Sequence, residues 1–97
     1  MTSGGGSERR GYKVRGRVQG VGFRWWTRRT AVELGLGGYV RNVPGGGVEV
    51  HAVGDPGDLD RLELLLKEGP PAARVDEVSV LASDPEAARD EFRILMS

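Results

Sequence analysis

Val14-Arg15-Gly16-Arg17-Val18-Gln19-Gly20-Val21-Gly22-Phe23-Arg24 is where one hydrophobic period gives way to another. Before it, Tyr12, Val14, Gly16 and Val18 alternate with Lys13, Arg15, Arg17 and Gln19, the pattern of a half-buried strand. After it, Phe23, Trp26, Thr27, Thr30, Ala31 and Leu34 recur at helical spacing, and Gly35 supplies a stop. The stretch therefore reads as the end of a strand, a glycine-punctuated turn and the first turn of a helix.

Working outward, a second strand is expected through Gly38-Tyr39-Val40-Arg41-Asn42-Val43, then a turn at Pro44-Gly45-Gly46-Gly47. Val48, Val50 and Ala52 alternate with Glu49, His51 and Val53 and form the hairpin partner. Asp55-Pro56 is a helix entry, with Asp as N-cap and Pro in the first helical position. Leu59, Leu62, Leu65 and Leu66 make its apolar stripe, and Gly69-Pro70-Pro71 ends it. Val75, Val78 and Val80 suggest a fourth strand; Phe92, Ile94 and Met96 suggest a short fifth. The order β-α-β-β-α-β plus a terminal strand is an α+β, ferredoxin-like split βαβ arrangement. Two amphipathic helices are expected to cover one face of a mainly antiparallel sheet.

The chain of 97 residues is long enough for one small core. Residues 1–9 read as a flexible tail and 10–97 as the domain. No apolar run approaches the ~20 residues of a membrane span. Nor does the start have the apolar centre of a secretory signal, so the cytoplasm is the expected location. Cysteine is absent and His51 is the one histidine. Those counts exclude a thiol nucleophile, a Cys/His zinc cluster and a two-histidine metal site. Net charge is zero, but residues 1–48 hold nine Lys/Arg against two Asp/Glu. Either the basic half binds anions or the halves mix their charges on a common surface.

Arg24 falls in the first turn of a helix, where the backbone carries about half a positive charge and unpaired N–H groups. A cation is unfavourable there unless an anion lies between it and the amides. Gly16 and Gly20 permit backbone angles closed to other residues, so successive amides can form an anion-binding nest. The planar fork of Arg24 can then grip two oxygens of a phosphoryl group. The plainer reading keeps the glycines for packing and Arg24 as a surface residue. This is not a Walker loop, because no Gly-Lys-Ser/Thr follows.

Gly16-Arg17-Val18-Gln19-Gly20-Val21-Gly22-Phe23-Arg24 together with Gly38-Tyr39-Val40-Arg41-Asn42 resembles the two signatures of the acylphosphatases. The resemblance extends to Gly69-Pro70-Pro71-Ala72-Ala73-Arg74-Val75 and to Phe92-Arg93-Ile94, and covers nearly all of the chain beyond the tail. It implies a small enzyme that hydrolyses carboxyl-phosphate anhydrides, with no metal or other cofactor and no covalent phosphoenzyme. Carried over by position, the backbone of Gly16, Arg17, Val18, Gln19, Gly20 and Val21 cradles the phosphate. Arg24 binds it, and Asn42 positions the attacking water. Tyr39 stands where the family usually has tryptophan, and Val43 where some members have threonine. Neither change removes a group the mechanism needs. Taken alone, Asn42 reads better as a strand-end residue capping the turn before Pro44; together with the loop signature it reads as catalytic.

Other residues suggest less. His51 falls at an exposed alternating position and is expected to be solvated. Trp26 belongs to the helix's core stripe, with Trp25 partly exposed. Glu49, Asp55, Asp58 and Asp60 lack the spacing of a calcium loop. Two rival functions share the topology. One is an RNA-recognition module, which needs strand aromatics that are sparse here; no nucleic-acid partner is expected. The other is a non-catalytic anion-binding domain of a larger carbamoyl-transfer protein. The lack of cysteine-rich modules and the presence of both Arg24 and Asn42 favour a free-standing enzyme, expected to be monomeric, with a small acyl phosphate as substrate.

Overall fold

The computed structural model describes residues 7–96, and residues 1–6 of the expected tail lie outside them. Seven elements follow in order: β1 (Glu8–Arg17), α1 (Phe23–Glu33), β2 (Gly37–Asn42), β3 (Val48–Gly54), α2 (Pro56–Glu68), β4 (Arg74–Leu81) and β5 (Phe92–Leu95). The expected ferredoxin-like α+β arrangement is present. β1 begins earlier than the boundary read from the sequence, since Glu8 and Arg9 already pair with Gly54 and Val53 of β3.

The sheet runs β4-β1-β3-β2-β5. Neighbours are antiparallel except β2 and β5, which pair in parallel from Gly38↔Phe92 to Arg41↔Leu95. α1 packs on β2 and β5, and α2 on β4 and β1. Between helices and sheet lie Tyr12, Val14, Val40, Val48, Val50 and Ala52 from the strands, with Phe23, Ala31, Leu59, Leu62 and Leu66 from the helices. Burying each large apolar side chain contributes about 1.5–3 kcal/mol. Tyr12 is fully buried, and its hydroxyl donates to the Leu59 carbonyl at 3.3 Å.

Local signals behave as their chemistry requires. The Asp55 carboxylate accepts from Gly57 N at 2.9 Å, with Pro56 opening α2. Gly35, at φ +76°, follows the end of α1. The valines of β4 are less buried than their alternation suggests: β4 is an edge strand, Val75 and Val78 are only partly buried and Val80 is largely exposed.

His51 corrects the expectation of a solvated side chain. It is 7% exposed. β4 and β5 occupy opposite edges of the sheet, so the chain between them, residues 82–91, crosses the face that carries no helix. Along that crossing Arg9 donates to the Ala87 carbonyl at 3.4 Å, Tyr39 donates through its hydroxyl to Asp84 at 2.7 Å, and Ala87 is buried. His51 lies beneath it, stacked on Tyr39 with ring centroids 5.0 Å apart.

Candidate active site

Five strand ends meet at one end of the sheet: the C-terminal ends of β1, β2 and β5 and the N-terminal ends of β3 and β4. The connection from β1 to α1 runs across this end. Gly16 and Arg17 are still strand, paired with Val75 and Arg74 of β4. The loop proper is therefore Val18 to Gly22. Val18 and Phe23, each 1% exposed, sink into the core on either side, with Val21 partly buried against it. Apolar anchors thus hold a loop whose remaining residues are free to turn.

The glycines do different work. Gly20 and Gly22 have φ of +76° and +77° with open space where a Cβ would stand, so backbone conformation alone demands them. At Gly16 the pairing with β4 shifts register, and a Cβ would collide with the Arg74 carbonyl. Close strand approach therefore explains Gly16 without reference to a ligand.

Gly22 is the N-cap of α1 and offers no side-chain hydrogen bond to the first turn, which also contains no acidic residue. Arg24 lies in that turn. Its Nη1 donates to the Leu95 carbonyl at 2.9 Å and lies 3.8 Å from Met96 Sδ. Among the described residues it has no carboxylate within ion-pairing distance. Leu95 pairs with Arg41, the residue before Asn42. Arg24 is thus tied to the strand alongside Asn42, at the same end of the sheet.

Asn42 closes β2 opposite Val48. Its Oδ1 is buried and has no hydrogen-bond partner among the described residues. A buried acceptor without a donor is costly, on the order of 1–3 kcal/mol. Next to it, the Gln19 side chain of the loop donates to the carbonyls of Val43 (2.9 Å) and Gly47 (2.8 Å). Loop and hairpin are thereby clamped at the residue following Asn42. The sequence points to the Gln19 backbone but not to its side chain, whose partners lie 24 and 28 positions away.

Two clefts involve the elements on either side of the loop, one on α1 and β5 and the other on β1 and the β2–β3 turn. One, of about 500 Å³, is lined by Arg24, Trp25, Arg28, Ile94 and Met96. The other, of about 350 Å³, is lined by Lys13, Arg15, Gly16 and Pro44–Gly47. Asn42 lines neither.

On the helix-free face Glu49 receives Arg41 at 3.0 Å and His51 Nε2 at 3.3 Å. Burial pushes the Glu49 carboxyl up, but the hydrogen bonds from Arg41 and His51 outweigh it and hold the pKa below the usual range. Tyr39 is pushed up to about 12, by burial first and then by its hydrogen bond to Asp84. Arg41 and Glu49 belong to this face, and the described residues contain no group of three or more potential metal-ligating side chains.

The family model for acylphosphatase matches residues 10–94. An acylphosphatase of Koribacter versatilis is 52% identical over 88 residues, covering 91% of this chain and 80% of that protein. The crystal structure of acylphosphatase from Bacillus subtilis superposes with a TM-score of 0.82 at 34% identity, covering 90% of this chain and 97% of that one. The structure of T. kodakarensis HypF contains a similar fold, with a TM-score of 0.76 at 34% identity over 89% of this chain but 11% of that one. The shared fold, the match across nearly the whole chain and the identity to curated relatives agree: the chain belongs to the acylphosphatase family, a hydrolase acting on acyl phosphates.

Proposed function

We propose that hydrolysis takes place at the sheet end where the Val18–Gly22 loop, Arg24 and Asn42 lie together. The observation that carries this reading is the buried Asn42 Oδ1, which has no hydrogen-bond partner among the described residues and lies next to the hairpin residue clamped by Gln19 and beside the strand that holds Arg24. Backbone amides of residues 16–21 and the start of α1 supply N–H groups to the phosphoryl oxygens. Arg24 neutralises their charge; among the described residues no carboxylate pairs with it, which leaves its positive charge available to them.

The Asn42 carboxamide accepts a hydrogen bond from water and aims its oxygen at phosphorus. The new P–O bond forms as the bond to the acyl oxygen breaks, and the electron pair leaves with the carboxylate. The water proton passes to a phosphoryl oxygen, because an amide cannot take it. A carboxylate is a good leaving group, so positioning and charge stabilisation suffice, and the reaction calls for no metal.

The substrate is a small acyl phosphate. Tyr39, stacked on His51 and tied to Asp84, is not free to stack bases, which weighs against an RNA-binding role. We take the enzyme to be a cytoplasmic monomer. The test is hydrolysis of benzoyl phosphate by chelator-treated protein. Turnover is expected; strict dependence on added metal would overturn the mechanism.

A further inference from the structure

Arg28 follows Arg24 by four positions on α1, so both side chains leave one face of the helix with Cβ atoms about 5–6 Å apart. Like charges at this spacing destabilise a helix. Neither arginine has a carboxylate partner among the described residues. Each is held instead by a β5 carbonyl: Arg24 by Leu95 at 2.9 Å, and Arg28, through Nε, by Phe92 at 3.0 Å. That tie uses Nε of Arg28 and leaves its two terminal nitrogens without protein acceptors among the described residues.

The two arginines line one cleft of about 500 Å³ together with Trp25, Ile94 and Met96. Trp25 is 70% exposed and Met96 80% exposed, so the cleft offers open apolar surface beside two cations that have no carboxylate partner among the described residues. That combination suits a ligand with an anion at each end and a short hydrocarbon between.

We propose that Arg28 is a specificity-determining residue that binds a second anionic group on the acyl side of the substrate. It favours mono-acyl phosphates of dicarboxylic or phosphorylated acids over those of simple monocarboxylic acids. The inference rests on Arg24 as the phosphate-binding group. Arg28 meets the substrate away from the bond that breaks, so its contribution is equal in the ground and transition states and appears in KM rather than kcat.

The test compares succinyl phosphate with acetyl phosphate as substrates of the wild type, Arg28→Gln, Arg28→Lys and Arg29→Gln. The wild-type ratio of kcat/KM favours succinyl phosphate. Arg28→Gln lowers that ratio about tenfold or more through KM, the size of one lost charge-assisted hydrogen bond. Arg28→Lys keeps part of the preference. Arg29→Gln removes the same charge from an exposed neighbouring position of α1 and leaves the ratio in place. An unchanged ratio in Arg28→Gln, or an equal fall in Arg29→Gln, overturns the role of Arg28.

Should Arg28→Gln fail to fold for want of its strut to Phe92, the wild type alone decides. Succinate must inhibit acetyl phosphate hydrolysis more strongly than butanoate, and equal inhibition overturns the proposal. A wild type that hydrolyses neither substrate overturns the catalytic reading itself, a result distinct from an unchanged ratio.

Discussion

The Gln19 amide donates to the Val43 carbonyl at 2.9 Å, joining the loop before α1 to the residue after Asn42. A second hydrogen bond, to Gly47 at 2.8 Å, makes the clamp two-pronged. Both carbonyls also accept from the hairpin's own backbone: Val43 from Gly46 N at 3.3 Å and Gly47 from Val43 N at 2.9 Å. Gln19→Ala therefore leaves neither carbonyl unpaired and should cost only about 1 kcal/mol of stability, measured by urea denaturation. Gln19→Glu puts a carboxylate against two carbonyls and should cost more. Turnover should fall in both variants, because the loop loses its register to Asn42. Wild-type kcat in Gln19→Glu would show that the clamp does not position the site.

Arg24 is expected to bind phosphate with its planar fork. Arg24→Ala should abolish inhibition by inorganic phosphate and turnover together. Arg24→Lys should lower kcat/KM by on the order of 10²–10³, the usual loss of a donor to transition-state charge. Near wild-type activity in the lysine variant would show that a point charge is enough.

Asn42 offers a buried acceptor rather than a charge. Asn42→Ala should lower kcat by on the order of 10², comparable to misplacing a reacting group. The inhibition constant for phosphate should barely move. Equal losses in both would assign Asn42 to phosphate binding instead of water positioning.

The chain crossing over the helix-free face makes stability depend on pH at both ends. Tyr39 has its pKa raised to about 12 in the fold. Stability from its neutral hydroxyl is fully present below about pH 10, the unfolded value, and disappears as pH rises through about 12. Tyr12, raised mainly by burial, adds to the same alkaline loss. Glu49 and Asp84 are held below their ordinary ranges, Glu49 against the pull of burial and Asp84 by the Glu86 amide and then the Tyr39 hydroxyl. Their contribution is present above the usual carboxylate range and is lost as pH falls through the folded values. Tyr39→Phe should be less stable than the wild type at pH 7 by about 1 kcal/mol and should lose less between pH 10 and 12. Thermal melts across that range check it; parallel curves for the two proteins would show that Tyr39 does not govern the alkaline limb.

Local chemistry made much of the fold legible in the sequence. The change from a period of two to helical spacing around Gly16–Arg24 marked strand, loop and helix. Asp55-Pro56 marked the start of α2, and Gly35 the end of α1. These signals need only neighbouring residues, because capping, glycine backbone angles and periodicity act within a turn or two. Contacts between distant segments were different. His51 departs from its expected exposure because alternation separates the two faces of a strand but does not reveal whether anything covers the second. Its cover comes from residues 82–91, some 30 or more positions away, and exists because β4 and β5 lie at opposite edges.

The candidate site divides along the same line. The amino-acid order alone supplied a glycine-punctuated loop able to turn at Gly16 and Gly20, an arginine in the first helical turn and an asparagine closing a strand; that Gly22 also needs a positive φ, and that Gly16 is set by its close approach to β4, only the structure decided. It could not supply the hold of Leu95 on Arg24 across 71 positions, the Gln19 clamp on the hairpin or the cleft that Arg28 shares with Met96. Backbone angles are set by each residue and its neighbours. A hydrogen bond between remote segments forms only once the buried core has brought their strands into register.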